Sequence, residues 1–250
     1  MKTPPWLLVP PGLISKDTVI TLDTAEGRHA TGPLRMRSGE EVVLADGAGH
    51  TAVARLAIAV KARVDVEVMS VHVAPPPRGA GVTLALAVIE PRAMDWAVQK
   101  AVEIGVRRLQ PIVTARTQSG RRAVSGRSDH WHQIALQALK QCRRPWAMEI
   151  GEVQTITDLV ADHEAGGVVA DQGGVVIGGL PRSCGRVLVV GPEGGFSSAE
   201  DELFTSSGWV RLRLGAIVGR DPQGVRRTHR TRHPGALWHD GNRHDHLQPL

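Results

Sequence analysis

The chain has 250 residues, of which 42% are hydrophobic, and this is enough to bury a sizeable core in one or two domains. Lys and Arg number 30 against 25 Asp and Glu, which gives a net charge of +5. Only five of the basic residues are Lys. Because the Arg guanidinium matches phosphate well, this bias is compatible with a nucleic-acid partner, although a GC-rich genome produces the same bias.

Cysteine and proline usage excludes several classes of protein. The two cysteines, Cys142 and Cys184, are far apart and form no Cys-x-x-Cys motif, so we expect neither a disulfide framework nor a structural zinc site. The sequence contains no run of 18 apolar residues, and four prolines in the first 11 residues interrupt any signal peptide. We therefore expect a soluble cytoplasmic protein without a membrane span or a bound metal.

The N-terminal part has the pattern of β-strands. Alternating or continuous apolar residues, many of them β-branched, recur in three stretches, 41–45, 51–60 and 64–73. This pattern predicts a small β-barrel or sandwich over residues 1–74. Residues 75–81 combine three prolines with a glycine-rich segment, which is typical of a linker between domains.

From Val82 onward, strands alternate with helices. The predicted strands are 82–89, 109–113, 168–170, 187–190 and 210–214, and the predicted helices are 94–104, 128–141 and 198–205. Gly105 stands where a left-handed C-terminal cap belongs, and Ser128 where an N-cap belongs. This alternation predicts an α/β domain, residues 82–215, with a mostly parallel sheet covered by helices on both faces. Ligands in such sheets bind beyond the carboxyl ends of the strands.

A glycine loop follows the predicted buried strand 187–190. The loop consists of Gly191, Pro192, Glu193, Gly194 and Gly195. Its glycines can bring backbone amides close to a ligand, and Ser197 with Glu200 forms a capping box that begins the next helix. The loop indicates either a nucleotide-like ligand or a tight structural turn. It lacks the ending of a P-loop and the glycine spacing of a dinucleotide fingerprint.

The segment Gly191–Ser197 resembles the signature loop of the ribosomal RNA small subunit methyltransferase E (RsmE) family of SPOUT RNA methyltransferases. Three further segments are similar to motifs of that family in the same order, namely 94–106, 111–117 and 137–145. The stretch 28–40 also resembles a family motif, with Arg28 in place of its first His. Four motifs in one order over roughly residues 82–215 make this resemblance specific.

The resemblance implies a fold, a reaction and a partner. The fold is an α/β SPOUT-type parallel sheet with a C-terminal trefoil knot, preceded by a PUA-like β-barrel that binds RNA. The reaction is transfer of a methyl group from S-adenosylmethionine (S-adenosyl-L-methionine) to N3 of a uridine in 16S rRNA of the small ribosomal subunit. Members of the family act as homodimers, and the reaction needs no metal.

The resemblance also implies which residues form the site. The cofactor-binding residues would be Ala170, Gly191, Pro192, Glu193, Gly194, Gly195, Leu214 and Gly215. Two residues would be catalytic. Arg116 would stabilise negative charge on the uracil carbonyls, and Glu193 would favour the sulfonium charge. The alternative for Glu193 is a carboxylate that stabilises a helix N-terminus.

The same resemblance implies a set of RNA-binding residues. Its members would be Arg28, Arg35, Arg37, Arg116 and Arg144. The alternative for each of these arginines is a place on an ordinary charged surface. Lys100 and Glu103 are one helical turn apart, so we interpret them as an ion pair and not as catalytic groups. No residue is assigned as a general base.

The sequence departs from the family pattern after Gly215. Residues 216–250 are rich in Arg, His, Pro and Gly, and they lack the Leu-Arg-x-Glu-Thr-Ala helix that threads the knot and closes the cofactor pocket in the family. Four interpretations compete: a basic nucleic-acid-binding tail, a His-rich metal-binding tract, a disordered end and a reading-frame artefact. We favour a frame-shift, because GC-rich coding sequence read out of frame has this composition.

Two other classes of function compete with an active methyltransferase. If one wall of the cofactor pocket is lost with the tail, the chain would be a non-catalytic RNA-binding remnant of the family. An NAD-type oxidoreductase is disfavoured, because the strand 82–89 is followed by Glu90-Pro91-Arg92 and not by a dinucleotide glycine fingerprint.

The frame-shift hypothesis makes a prediction for the gene. Reading its DNA in the two other frames beyond the codon for Ala216 is expected to restore a Leu-Arg-x-Glu-Thr-Ala helix. The hypothesis fails if neither frame restores it.

Overall fold

The structure is a computed structural model of the chain, and it describes residues 3–60, 63–77, 81–117, 126–181 and 183–214. Met1–Gly215 form one compact unit, within which both predicted domains lie. The predictions for Gly215, for the tail 216–250 and for the middle of the linker 75–81 fall outside the described residues.

The N-terminal part contains a five-stranded sheet. Its strands are β1 (Trp6–Leu8), β2 (Val19–Thr21), β3 (Glu41–Ala45), β4 (His50–Val60) and β5 (Arg63–Val73). The strand order is β1-β3-β4-β5-β2, with β1 parallel to β3 and the other neighbours antiparallel. The three strands predicted between residues 41 and 73 are confirmed to within one residue at each end. Leu7, Leu44 and Leu56 are central to the core of this sheet.

The sequence pattern does not predict the helix α1 (Thr24–Thr31), which packs on this sheet. The helix begins at Asp23, whose side chain accepts the backbone N–H groups of Ala25 and Glu26 at 2.8 Å. Its buried residues are Glu26, Gly27 and Ala30. No apolar stripe therefore marks the helix in the sequence, and its contacts with the sheet decide its position.

The second sheet confirms the predicted α/β class, because every pairing among its seven described strands is parallel. Its strands are β6 (Thr83–Ala87), β7 (Arg108–Val113), β8 (Glu149–Ile150), β9 (Gln154–Thr155), β10 (Val168–Val175), β11 (Val187–Val190) and β12 (Val210–Leu212). Their order is β12-β10-β11-β6-β7-β8, with β9 also paired to β7. The helices are α2 (Pro91–Ile104), α3 (Ser128–Cys142), α4 (Ile156–Asp162) and α5 (Ser198–Ser206), and a 3-10 turn spans Ile177–Gly179.

Helices cover both faces of this sheet, and the alternation of β6 shows how. Leu86 packs into a cluster with Trp131 of α3 and side chains of α2. Its neighbour Ala85 packs on the opposite face with Leu159 of α4 and Phe204 of α5. Successive residues of a strand point to opposite faces, so a strand buried on both sides is apolar throughout. None of the helices in the described ranges is both long and apolar enough to span a bilayer.

The helix ends test two predictions about capping. Gly105 ends α2 with a φ of 91°, which confirms the predicted left-handed cap. The prediction that Ser128 caps α3 is wrong, because the N-cap residue is Arg127, whose backbone is already helical. Ser128 is the first residue of the helix, and its buried hydroxyl has no hydrogen-bond partner among the described residues.

The strands β10 and β12 at one edge of the sheet differ in length from their prediction, and β12 ends at Leu212 instead of residue 214. The strand β10 continues beyond Ala170 to Val175, which pairs with Leu212 after an irregularity in the register. The sequence does not predict this extension, because it contains Gly174 and glycine disfavours strands. A Cβ at Gly174 would lie 2.6 Å from the backbone of Arg211, so the two strands approach too closely there for a side chain.

A buried ion pair joins α1, which packs on the N-terminal sheet, to α3 in the helical layer of the second sheet. The Lys140 ammonium lies 2.7 Å from the Glu26 carboxylate, and their side chains are only 5% and 9% exposed. The same carboxylate accepts the backbone N–H of Leu8 at 3.3 Å. Nearby, the segment 145–147 bonds to the turn 47–49, through Ala147 N–H to Gly47 O at 2.8 Å. Both contacts fix the position of the N-terminal sheet and its helix relative to the second sheet.

We predict that Lys140→Met lowers the free energy of unfolding by about 3–5 kcal/mol, because it leaves the Glu26 carboxylate buried without its partner. The matched control is Lys100→Met, which breaks the more exposed pair with Glu103 at 2.7 Å and is expected to change stability by less than about 1 kcal/mol. Urea denaturation of both variants measures the difference. Equal losses in the two variants would contradict the prediction.

Candidate functional site

Three strands of the second sheet end side by side. The strand β6 pairs in parallel with β7 and β11, and Leu86 lies opposite both Pro111 and Val190. Because parallel strands bring their carboxyl ends to one edge, the loops that follow them are neighbours. These are residues 88–90, the segment 114–117, here named the Arg116 loop, and residues 191–195, which are the glycine loop.

A cleft of about 370 Å³ lies between these three loops, and we name it the strand-end cleft. Val88 and Ile89 supply apolar surface, and the cleft is also lined by the ionisable side chains of Glu90, Arg116 and Glu193. Its volume lies near the lower end of the range of small-molecule sites, which is about 300–1,000 Å³. The cleft therefore suits one small polar group or base at a time.

Two glycines of the glycine loop are required by their surroundings. A Cβ at Gly191 would lie 2.8 Å from the ring of Phe196, which packs edge-on against Phe204. Gly195 has a φ of +71°, a left-handed conformation, and its N–H donates to Pro192 O at 2.8 Å. These contacts make a tight turn whose outer side carries no side chain at positions 194 and 195.

Arg116 and the glycine loop, which the sequence predicts as parts of one site, lie together. The guanidinium Nη1 of Arg116 donates to the carbonyl of Gly194. A Cβ at Gly194 would lie 3.4 Å from Cδ of Arg116, so the arginine passes directly over this glycine. The rest of the guanidinium remains exposed at the cleft and is available to a ligand.

Glu200 connects the same two segments from the other side. Its Oε2 accepts the N–H of Ser197 at 2.8 Å, and this contact is half of the predicted capping box, which is confirmed. Its Oε1 accepts the N–H of Ala115 in the Arg116 loop at 2.7 Å. The sequence reveals only the cap, because Ala115 is 85 residues away along the chain.

Two carboxylates face the cleft in different ways. Glu193 is exposed, and no hydrogen bond or ion pair holds its side chain in the described part of the chain. Ser197 and Glu200 cap α5, so Glu193 does not take part in the cap. Glu90 caps α2 by accepting the N–H of Ala93 at 3.0 Å. Sequence reasoning does not single out Glu90, because Glu is not a preferred N-cap residue.

The other predicted cofactor residues lie further along the same edge of the sheet. Ala170 belongs to β10, which runs beside β11 and β12, and pairs with Leu212. Leu214 follows two residues later and is 48% exposed. Ala170 is level with the end of β11, although β10 itself continues to Val175, and Leu214 follows the end of β12. Both lie on the side of the glycine loop away from Arg116, and Gly215 is outside the described residues.

An ion-pair cluster next to Ala170 is not evident from the sequence. Asp171 lies 2.8 Å from Arg211, and Arg211 lies 2.9 Å from Asp201. The N–H of Gly173 and the guanidinium of Arg211 both donate to Asp171, and they hold the pKa of its carboxyl below the ordinary value. The cluster fixes the middle of β10 against β12 and α5.

The structure does not bring four of the predicted RNA-binding arginines to the strand-end cleft. Arg28, Arg35 and Arg37 are exposed on α1 and the turn after it, in the N-terminal part. Arg144 lies at the opposite end of α2 from the cleft, where its Nη1 donates to Val102 O at 2.9 Å. This contact gives Arg144 a structural role at a helix C-terminus, and its binding to RNA stays a prediction.

The RNA methyltransferase domain family matches residues 76–220, which is more than half of the chain. This chain belongs to the RNA methyltransferase family. Among its relatives is the ribosomal RNA small subunit methyltransferase E of Aquifex aeolicus, which is 30% identical over 131 residues, or 50% of this chain and 56% of that protein. This chain thus spans just over half the length of that relative. The resemblance to the RsmE family that the sequence motifs indicate is confirmed by such relatives.

Two solved structures share the fold of this chain. A methyltransferase E from Neisseria gonorrhoeae, bound to S-adenosylmethionine, aligns with a TM-score of 0.77 at 24% identity over 85% of this chain and 90% of that chain. A Legionella pneumophila protein, also with bound S-adenosylmethionine, aligns with a TM-score of 0.78 at 25% identity over 86% and 90% of the two chains. Their common fold is the α/β fold with a parallel sheet described above.

We predict that Asp171→Asn reduces stability at neutral pH and that the loss disappears in acid. Folding lowers the pKa of Asp171 from 3.8, so its ionised form stabilises the fold above that pH, and this stabilisation is lost as the pH falls through the lowered pKa. Because the pair with Arg211 is partly exposed, we expect at most about 1 kcal/mol.

Urea denaturation of wild type and variant between neutral pH and acid measures this difference. Asp17→Asn, on an exposed side chain 3.9 Å from Lys16, is the control and should show a smaller change. A difference for Asp171→Asn that stays constant as the pH falls would contradict the prediction.

Proposed function

We propose that this RNA methyltransferase methylates N3 of a uridine in 16S rRNA of the small ribosomal subunit. Its cofactor is S-adenosylmethionine, the molecule bound in both solved structures of this fold. The observation that carries the proposal is the glycine loop at the strand ends, which meets Arg116 across a cleft of about 370 Å³. The relatives named as small-subunit methyltransferases support the same substrate.

The residues at the strand ends fit the cofactor. We propose that the backbone of Gly191–Gly195 holds it, together with Ala170, Leu214 and Gly215. Gly194 and Gly195 leave the outer side of this turn without side chains, and the φ of +71° at Gly195 favours glycine there. When bound, the cofactor supplies an activated methyl group on a positively charged sulfonium. The exposed Glu193 carboxylate would favour that charge.

Arg116 has the chemistry that the uracil ring requires. Loss of the N3 proton to solvent places negative charge on the ring carbonyls, and a guanidinium at the cleft stabilises that charge. The bond from Arg116 to Gly194 O holds the side chain in place and leaves other N–H donors for the base. The base must be unpaired to enter, because the cleft is too small for a duplex.

The remaining features of the fold and assembly belong to the same proposal. Residues 1–74 would form a PUA-like barrel in which Arg28, Arg35 and Arg37 contact phosphate, and their exposure supports this role. Residues 75–81 would be the linker, and 82–215 a SPOUT domain with a C-terminal knot. The protein would act as a homodimer in the cytoplasm.

A second candidate follows from the altered tail. Residues 216–250 do not carry the family's Glu-Thr-Ala helix, so the chain would then be a non-catalytic RNA-binding remnant. Family membership and the intact glycine loop favour the enzyme. Binding of S-adenosylmethionine distinguishes the two candidates, because only the enzyme needs a working cofactor pocket.

The test combines calorimetry with mass spectrometry of methylated 16S rRNA. We expect micromolar binding of S-adenosylmethionine and N3-methyluridine as the product. Arg116→Gln should lower kcat by about 100-fold while cofactor affinity changes little. The matched control is Arg55→Gln, an exposed arginine 3.6 Å from Glu41 on the N-terminal sheet. No binding at millimolar cofactor would support the remnant, and equal losses in both variants would remove Arg116 from the mechanism.

A further inference from the structure

We propose that Glu200 is a positioning residue for methyl transfer, and this rests on the proposed function. Its carboxylate joins the Arg116 loop to the segment that follows the glycine loop. One oxygen accepts the N–H of Ala115 at 2.7 Å, and the other accepts the N–H of Ser197 at 2.8 Å. Bonds from N–H groups to an ionised carboxylate are among the stronger hydrogen bonds in proteins.

The Arg116 loop is held together by its own side chains, so one tether orients all of it. Thr117 Oγ1 accepts the N–H of Thr114 at 2.9 Å, and the two hydroxyl groups lie 3.1 Å apart. The N–H of Arg116 donates to Thr114 Oγ1 at 3.2 Å. A displacement of Ala115 would therefore move the backbone of Arg116 as well.

The contacts close a ring around the site. The chain runs from Gly194 through Ser197 to Glu200, whose carboxylate bonds to Ala115, and the next residue, Arg116, bonds back to Gly194 O. Two loops that meet the cofactor and the base are thus fixed relative to each other. An error of about 1 Å in such an arrangement can lower the rate by about 100-fold.

A helix cap without any effect on catalysis is the alternative role for Glu200. Glu200→Asp separates the two roles, because Asp158 forms a complete capping box with Thr155 at the same position of α4. The shorter side chain keeps the charge and the cap but does not span the distance to Ala115. Ser197→Ala is the opposite variant, because it removes the hydroxyl of the cap and leaves the Ala115 contact.

We expect Glu200→Asp to lower kcat by about 100-fold at saturating cofactor and RNA, with little change in the melting temperature. Ser197→Ala should lower the melting temperature and keep most of the wild-type kcat. In an Arg116→Gln background, Glu200→Asp should have little further effect, because both changes act on the same group. Losses of kcat that follow the melting temperature in both variants, or fully additive losses, would overturn the proposal.

Hydrogen exchange separates this proposal from the proposed function. The amide of Ala115 should exchange faster in Glu200→Asp than in wild type, whether or not the protein methylates RNA. Unchanged exchange would overturn the positioning role even in an active enzyme. If the wild-type protein neither binds S-adenosylmethionine nor methylates RNA, the proposed function is wrong. A difference in Ala115 exchange between wild type and Glu200→Asp would still support the contact between Glu200 and Ala115.

Discussion

The parallel register of β6, β7 and β11 is the constraint on which the candidate site depends. It places Leu86 level with Pro111 and Val190, so three loops that are distant in sequence begin at the same edge. The apolar side chains on both faces of these strands keep this register, because a shift would expose them. The hydrogen bonds of Glu200 and Arg116 then refine an arrangement that the sheet has already set.

Charge at this edge is distributed in a way that fits a cationic cofactor and a polyanionic substrate. The Arg116 guanidinium and the Glu193 carboxylate line one cleft, and the exposed arginines of the N-terminal part lie elsewhere on the surface. The buried pair of Lys140 with Glu26 links α1 to α3, so these exposed arginines, for which we propose phosphate contacts, keep a fixed relation to the cleft. Fixed geometry of this kind reduces the entropy lost when a large RNA binds.

Local patterns in the sequence are sufficient for much of this fold. Alternating apolar residues predict β4 and β5, and glycine at position 105 predicts the end of α2. The helix α1 escapes prediction because it buries Glu26 and Gly27, whose places depend on tertiary contacts. At the site, the glycine loop is a local signal, whereas the bond between Ala115 and Glu200 joins residues 85 positions apart. Ser128 shows the opposite error, since a good capping residue lies one position inside its helix.

A structure determined with bound S-adenosylmethionine would show whether the glycine loop holds the cofactor. We expect the cofactor at the strand ends, with the amides of Gly191–Gly195 around it and its methyl group directed toward the cleft beside Arg116. A glycine loop closed by neighbouring side chains, or a cofactor bound away from this edge of the sheet, would be incompatible with the proposed function.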